Sequence, residues 1–335
     1  ILTIIKKVLD DCKIDYDVKA SKQTPMRTYC VQYCESDFAF VSRLMEQYGL
    51  YYFYRHEQDK HVLVICDDKS SHVKLPKHAF EYNPAVEFAP MADSEGRNLS
   101  KVGNYVFDWA EHVSTGGEHQ VTLRDYDFIE SSRMVEGVSA KENKHKGKDI
   151  EIFSWPARTF SKKVGEQMAE FQLDARRANR VRFDGSSYFT GIQPGYYFDL
   201  HKHTAVPRYN RDYLLDSVRT TLAAEIRSSG QQQGGSTLVQ FTAIPADVQY
   251  RAPAVTPVPV VKGLESAVVT APSDMADEEI HTDKWGRVLV NFFWDHKPEE
   301  GRKTTSCWLR VSQTGGLGNI ILPRVGHEVL VDFLD

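Results

Sequence analysis

The sequence predicts a mainly β protein with a few helices, an α+β chain, on three observations. Short period-two runs of β-branched and aromatic residues recur along the 335 residues, bounded by Gly, Pro, Asn or Asp. Helical spacing of apolar residues appears in only three windows. A segment crowded by Pro245, Pro253, Pro257 and Pro259 cannot be helical and divides the later strands from the rest. The length exceeds that of an ordinary single domain, so two or three separate cores are expected.

The first helix is predicted at the start of the chain, where Ile1, Ile5, Val8 and Cys12 follow helical spacing opposite Lys6, Lys7, Asp10 and Asp11. The run RTYCVQY (27–33) reads as a strand. Ser36 is placed to cap a second helix carrying Phe38, Val41, Met45 and Tyr48, with Gly49 at its end. LYYFYRHE and KHVLVICDD then form a hairpin around Gln58 and Asp59, and the aromatic run Tyr51–Tyr54 is expected in a sheet core rather than in a ligand box.

From about residue 69 to 150 the chain reads as polar and irregular, with strands at NYVFDWA and HQVTLRDYDF and a solvated loop at KENKHKGKD (141–149). The third helix is expected over 161–180, with Val164, Met168, Phe171 and Ala175 on one face and Arg176, Arg177 and Arg180 near its C-terminal, dipole-favoured end. GYYFDLH and YLLDSVRTTL follow as strands, and RSSGQQQGGST (227–237) reads as a flexible loop. Beyond the prolines, GRVLVNFFWD, SCWLRVSQ, GNIILPRVG and HEVLVDFLD have the cadence of a small antiparallel barrel. Val288, Val290, Phe292 and Trp294 share one of its faces. The expected division is 1–100 for a first part of helices and a β-hairpin, 101–245 for a second, strand-bearing part, 246–263 for a proline-rich linker and 264–335 for the small barrel.

Composition excludes several function classes. Forty-one basic against 46 acidic residues give a net charge of −5 with both signs interspersed, which argues against a nucleic-acid partner. No apolar stretch approaches the ~20 residues that a membrane span needs, so a soluble protein is expected. The five cysteines, Cys12, Cys30, Cys34, Cys66 and Cys307, are too few and too scattered for a disulfide framework and read as reduced thiols of a protein folded in the cytoplasm. The chain opens on ILTIIKKVLDD without a secretion signal and closes on VLVDFLD within a strand-like alternation, so a fragment of a longer polypeptide is expected.

No catalytic signature emerges. Nucleophile-elbow, phosphate-loop and dinucleotide-binding patterns are all missing from the sequence. Cys30 with Cys34, His201 with His203, and His327-Glu328 lack the paired ligand spacing of a zinc site, and packed thiols and loop histidines account for them better. Asp125 and Asp127 would share one solvent face of a strand. No catalytic residue, no cofactor and no metal are expected.

Three stretches together carry a family resemblance: YCVQYCESDFAFVSRLMEQYGLYYFYRHE (29–57), FTAIPADVQYRAPAVTPVP (241–259), and EIHTDKWGRVLVNFFWDH with SCWLRVSQ and ILPRVGHEVLVDFLD from 279 onward. The chain resembles the VgrG family, spike proteins of the type VI secretion system, themselves similar to a contractile phage tail hub fused to the base of its spike. The resemblance implies hub-like β-barrels over 1–245 and, from about 264, an oligonucleotide/oligosaccharide-binding-type barrel acting as a structural collar. It implies a homotrimer that meets the tube protein, baseplate proteins, spike-tip proteins and effectors, and that is secreted through the machine. The target membrane would be met by a needle beyond Asp335. The implied assembly signature is Trp285, Gly286, Arg287, Trp308, Pro323, Arg324 and Gly326, with the glycines and proline shaping turns and the aromatics filling core. Between SCWLRVSQ and ILPRVG only TGGLGN stands where the family has a longer loop, and the family's opening barrel portion precedes Ile1.

Overall fold

In the computed structural model, Ile1, Ile5 and Leu9 are buried along helix α1 (Leu2–Asp11), while Cys12, expected on that face, is exposed, so the buried stripe is turned from the predicted one. The structure describes residues 1–21, 24–88, 103–114, 118–130, 132, 134–141, 150–222, 226–228, 231–233, 237–272, 275, 279–295, 306–313 and 321–333. Two compact units form. The first holds residues 1–26, 36–126 and 133–257, and the second holds 258–335 together with 27–35 and 127–132. Among the described residues, no helix is long and apolar enough to cross a membrane.

In the first unit, β1 (Tyr16–Val18) runs parallel to β3 (His61–Cys66), whose other edge pairs antiparallel with β2 (Tyr51–His56). Helix α2 (Asp37–Gln47) starts where Ser36 Oγ accepts the Ala39 amide at 3.2 Å, satisfying one of its free N–H groups. Its buried face is Phe40, Val41, Leu44 and Met45. Phe38, expected on that face, is 60% exposed, so the apolar stripe is turned from the predicted one. Within β2 the alternation decides burial: Tyr51 and Phe53 face the core, Tyr52 is half-buried and Tyr54 is exposed.

A seven-stranded sheet follows, ordered β5–β4–β11–β12–β15–β10–β6. Its strands are β4 (Val73–Tyr82), β5 (Tyr105–Val106), β6 (Asp108–Val113), β10 (Val181–Ser187), β11 (Tyr196–His201), β12 (Arg211–Leu222) and β15 (Thr237–Pro245). The two edge strands are successive parts of one extended run, 105–113. β5 pairs with β4, and β6 pairs with β10. Phe107, between them, donates its amide to Ser186 O at 3.0 Å, so the sheet closes into a near-complete barrel around that residue. Phe80, Val106, Trp109, Phe183, Phe198, Tyr213 and Phe241 fill it.

The reading of 69–150 as irregular is corrected by β4 and by β8 (Met134–Ala140). Pro76 lies inside β4 and cannot donate to a ladder. The β4–β11 register jumps at that point, from Lys74 opposite Tyr197 to Ala79 opposite Asp199. Because β4 belongs to the barrel, the barrel begins well before the expected boundary at residue 101.

A three-stranded sheet, β8–β7–β9, adds β7 (Glu118–Tyr126) and β9 (Ile150–Ser154). Helix α4 (Lys162–Ala178), longer than the single turn α3 (Ala85–Phe88), packs on β7 and β8 through Met168, Ala169 and Leu173. The close approach depends on glycine: a Cβ on Gly137 of β8 would lie 2.1 Å from the Gly165 carbonyl carbon. Residues 227–237, read as a loop, instead contain a short antiparallel ladder of β13 (Ile226–Ser228) with β14 (Gln231–Gln233). Most of KENKHKGKD lies outside the described residues.

In the second unit, β16 (Glu265–Thr270), β17 (Val288–Phe292), β18 (Cys307–Leu309) and β19 (Glu328–Val331) are ordered β18–β17–β16–β19, all antiparallel. Ala267, Val269, Val288, Val290, Phe292 and Val331 form the core, with Trp294 packed against it. ILPRVG (321–326) forms no strand but a turn into β19, in which Gly326, at φ +88°, donates to Val269 O at 2.8 Å. RTYCVQY forms no strand either, although its residues alternate correctly, and it lies in this second unit.

Candidate functional site

The residues singled out from the sequence gather in the second unit, beginning with a hairpin before β17. Asp283 Oδ1 accepts the amides of Trp285 at 2.9 Å and Arg287 at 3.0 Å, while Asp283 Oδ2 pairs with Arg287 Nε at 2.6 Å. Gly286 takes φ +71°, a conformation that resists side chains, and its amide donates to Asp283 O at 3.0 Å. Burial acts to raise the Asp283 carboxyl, but the hydrogen bonds and charge of Arg287 and the Trp285 amide outweigh it and hold the group below its ordinary value. The turn is therefore stiff, and it presents Trp285 46% exposed with the Lys284 ammonium 5.1 Å from its ring.

The expectation that the signature aromatics fill core is corrected. Trp285 is exposed, and Trp308 is half-buried against the His281 ring at 5.4 Å, outside the central cluster. Pro323 stands in the turn before β19, next to Arg324, whose guanidinium meets Glu279 at 3.0 Å on the surface. Such an exposed pair contributes little stability.

Sequence reasoning missed two side chains that complete this unit. Tyr33 donates to Glu265 Oε1 at 3.1 Å and sets its ring edge-on to Trp294 at 5.5 Å. Phe128 lies beneath two guanidiniums, Arg287 at 5.3 Å and Arg310 at 5.1 Å. Both come from far upstream in the chain, and no local pattern marks such pairings.

In the first unit the proline-rich segment is fastened down. Arg251, 3% exposed, donates to Gly49 O at 2.7 Å and to Asp67 O, and its guanidinium covers the Phe171 ring at 5.0 Å. Glu46 of α2 accepts from the amides of Val255 at 3.1 Å and Thr256 at 2.9 Å and from Thr256 Oγ1 at 2.7 Å. Phe38, Tyr52 and Tyr54 form an outward row of edge-to-face rings along β2.

The titratable groups serve packing in this unit. His72 accepts or donates at Nε2 with the Tyr51 hydroxyl at 3.0 Å and bonds Gly195 O through Nδ1 at 2.8 Å, which fixes a neutral ring with Nδ1–H donating. Burial lowers its affinity for a second proton. Asp125, expected in solvent, is buried: its carboxylate accepts the Tyr126 amide at 2.8 Å and the Thr159 amide at 3.0 Å, pinning the chain that leads into α4. His203 stacks on Tyr82 at 4.0 Å and accepts the Val206 amide at Nδ1. Burial raises the Cys66 thiol to about 11, which suits an unreactive packed cysteine. Among the described residues, no group of three or more His, Cys, Asp or Glu converges as a metal cage.

Compared with known proteins, residues 1–226 match the family model of the phage tail baseplate hub (GPD). The chain is 35% identical over 348 residues to the type VI secretion system spike protein VgrG1b of Pseudomonas aeruginosa, an alignment covering 99% of this chain and 43% of that protein. To VgrG1c of the same organism it is 34% identical over 341 residues, 99% of this chain and 44% of that protein. The chain thus spans less than half the length of these curated relatives. A solved E. coli component of the type VI secretion system, described as structurally similar to the T4 bacteriophage tail proteins gp27 and gp5, superposes with a TM-score of 0.60. That superposition covers 99% of this chain and 67% of the other at 19% identity, a likeness of fold.

Proposed function

The chain belongs to the phage tail baseplate hub family and has VgrG spike proteins as relatives over nearly its whole length, and from that premise we propose that it is the hub and collar part of a type VI secretion spike. The similarity that carries this reading extends beyond the hub match at residue 226 to the strands of the second unit, where a hub alone would stop. On this reading three copies form a ring on the tube of the injection machine. Residues up to about 245 make the hub barrels, and 264–335 begin an oligonucleotide/oligosaccharide-binding-type collar beneath the needle.

The role is structural and non-catalytic. A near-closed barrel leaves few free edges for stray pairing, and a stapled turn that displays Trp285 offers a rigid contact for a neighbouring copy. The tube protein, baseplate proteins, spike-tip proteins and effectors are the expected partners, reached after folding in the cytoplasm and export through the machine itself. A phage tail hub is the second reading, favoured by the family model over residues 1–226.

A chimera tests the proposal. The matching part of VgrG1b is replaced by this chain in a strain depleted of its own spike proteins, and release of the tube protein is measured. Restored release is expected. A chimera that is folded and expressed yet releases no tube protein would overturn the type VI assignment.

A further inference from the structure

The end of the β2–β3 hairpin carries two histidines that neither the hub architecture nor the barrel core requires. His56 and His61 are direct cross-strand partners. The turn between them is closed by the Glu57 amide on Lys60 O at 2.9 Å, so the two backbones are held in register. The rings are exposed and meet at 4.7 Å between centroids, inclined by 78°. Their Nδ1 atoms lie 2.8 Å apart. One Nδ1 carries a proton and donates, and the other accepts, so two ligand-grade nitrogens already converge on one point of space.

That spacing has a second use. Two imidazole nitrogens bound to one ion at about 2.0–2.1 Å and at right angles to each other stand about 2.9 Å apart. We propose that His56 and His61 form a two-ligand site for a divalent transition-metal ion, Cu²⁺, Ni²⁺ or Zn²⁺, held through both Nδ1 atoms at the tip of the hairpin. The ion replaces the hydrogen bond and sits to one side of the Nδ1···Nδ1 line, toward which both exposed rings turn. The ring that carried Nδ1–H passes that proton to solvent and takes one up at its own Nε2, so both rings remain neutral and no net proton is lost.

Neighbouring groups favour imidazole as the only protein donor. Glu57 turns its Oε1 to Arg55 Nε at 3.0 Å and its Oε2 toward Lys60 at 3.8 Å, which engages its carboxylate with cations. The Tyr54 ring stacks on His56 at 6.2 Å and 19°, which restrains the orientation of that imidazole. With two protein ligands the remaining coordination positions face water, so the site is open rather than a closed structural cage. Nitrogen-only ligation places Cu²⁺ highest in affinity, by the usual order of first-row ions. Because the ligands stand on opposite strands, the bound ion ties β2 to β3 and stabilises the folded chain by mass action.

The test uses the intact chain without a histidine tag and Ni²⁺ as the probe, titrated calorimetrically, with Cu²⁺ electron paramagnetic resonance as a second readout. His56→Gln and His61→Gln are compared with His112→Gln, which alters a histidine elsewhere on the surface. Expected are one site whose affinity falls at least about tenfold in either hairpin variant and is unchanged in the control, and a Cu²⁺ spectrum showing two nitrogen ligands. Two results would overturn the proposal: wild-type chain that takes up no Ni²⁺ and shows no nitrogen-ligated Cu²⁺, or hairpin variants that bind as the wild type does. Melting curves without metal establish that each variant is folded, and the spectrum of the wild type stands independently of them.

Discussion

His72 shows how a single side chain sets a pH limit on the first unit. Its neutral ring accepts from Tyr51 at Nε2, and a second proton there would break that bond inside the core. Burial depresses its folded value below the ordinary 6.5, so its contribution is fully present above pH 6.5 and is lost as pH falls through the depressed value. His203 is shifted in the same direction, again chiefly by burial. The expected result is a melting temperature that declines below pH 6.5 in the wild type and declines less steeply in His72→Gln, read by circular dichroism between pH 7.5 and 5. In the second unit burial ranks the aromatics. Phe292 is 5% exposed and stacks on Trp294 at 4.7 Å and on Phe333 at 5.8 Å. Phe292→Ala is therefore expected to cost about 3–5 kcal/mol, and Trp308→Ala, at a half-buried ring, distinctly less, as measured by denaturant midpoints. The sequence pattern of Val288, Val290 and Phe292 announced the first of these roles. The reading of Trp308 as core failed because β18 is three residues long and gives alternation little to act on.

At the scale of elements, the proline-rich segment behaves as a docked strap for as far as residue 257. Its prolines forbid helix, as the sequence indicated, but its attachment depends on Glu46 holding Val255 and Thr256 and on Arg251 reaching Gly49 and Asp67, partners about two hundred positions apart that local patterns cannot join. Glu46→Ala removes three hydrogen bonds from Val255 and Thr256. It should release the already surface-lying Ala254–Val255 bond from its fixed conformation, so that elastase cuts there about tenfold faster, a factor equivalent to about 1.4 kcal/mol of local opening. An unchanged cleavage rate would mean that Arg251 alone holds the strap. The three longer helices were legible in extent: Ser36 caps α2 as expected and Gly49 follows it at φ +69°, whereas the Ser161 cap of α4 and the single turn α3 were not read. Strands were legible where burial alternates, as in β2 and β11, and where β-prone residues crowd together, as in β3, β12 and β17. They were missed where Pro76 interrupts β4, and where Gly137 breaks the apolar pattern of β8 to let α4 approach. RTYCVQY failed in the opposite sense, since alternation alone supplies no neighbouring strand.

For the whole molecule, the hub reading rests on a near-closed barrel, a second strand unit that takes in 27–35 and 127–132, and relatives that match both. The fold class and the family were legible in the sequence because motifs such as DKWGR and LPRVG record turns whose geometry needs glycine at positive φ, as at Gly286 and Gly326. The closure of the barrel was not legible, because it joins residues 105–113 to strands on both sides at long sequence separation. Nor do residue patterns reveal which surfaces meet in an assembly, since an exposed aromatic such as Trp285 or Tyr54 reads alike whether it faces water or a neighbouring copy. The central claim is that this chain carries the surfaces of a threefold hub. Its most direct test is the solution mass by light scattering across a concentration series. A mass of three chains that persists on dilution is the predicted result. A stable dimer, or a single chain at every concentration, would contradict it.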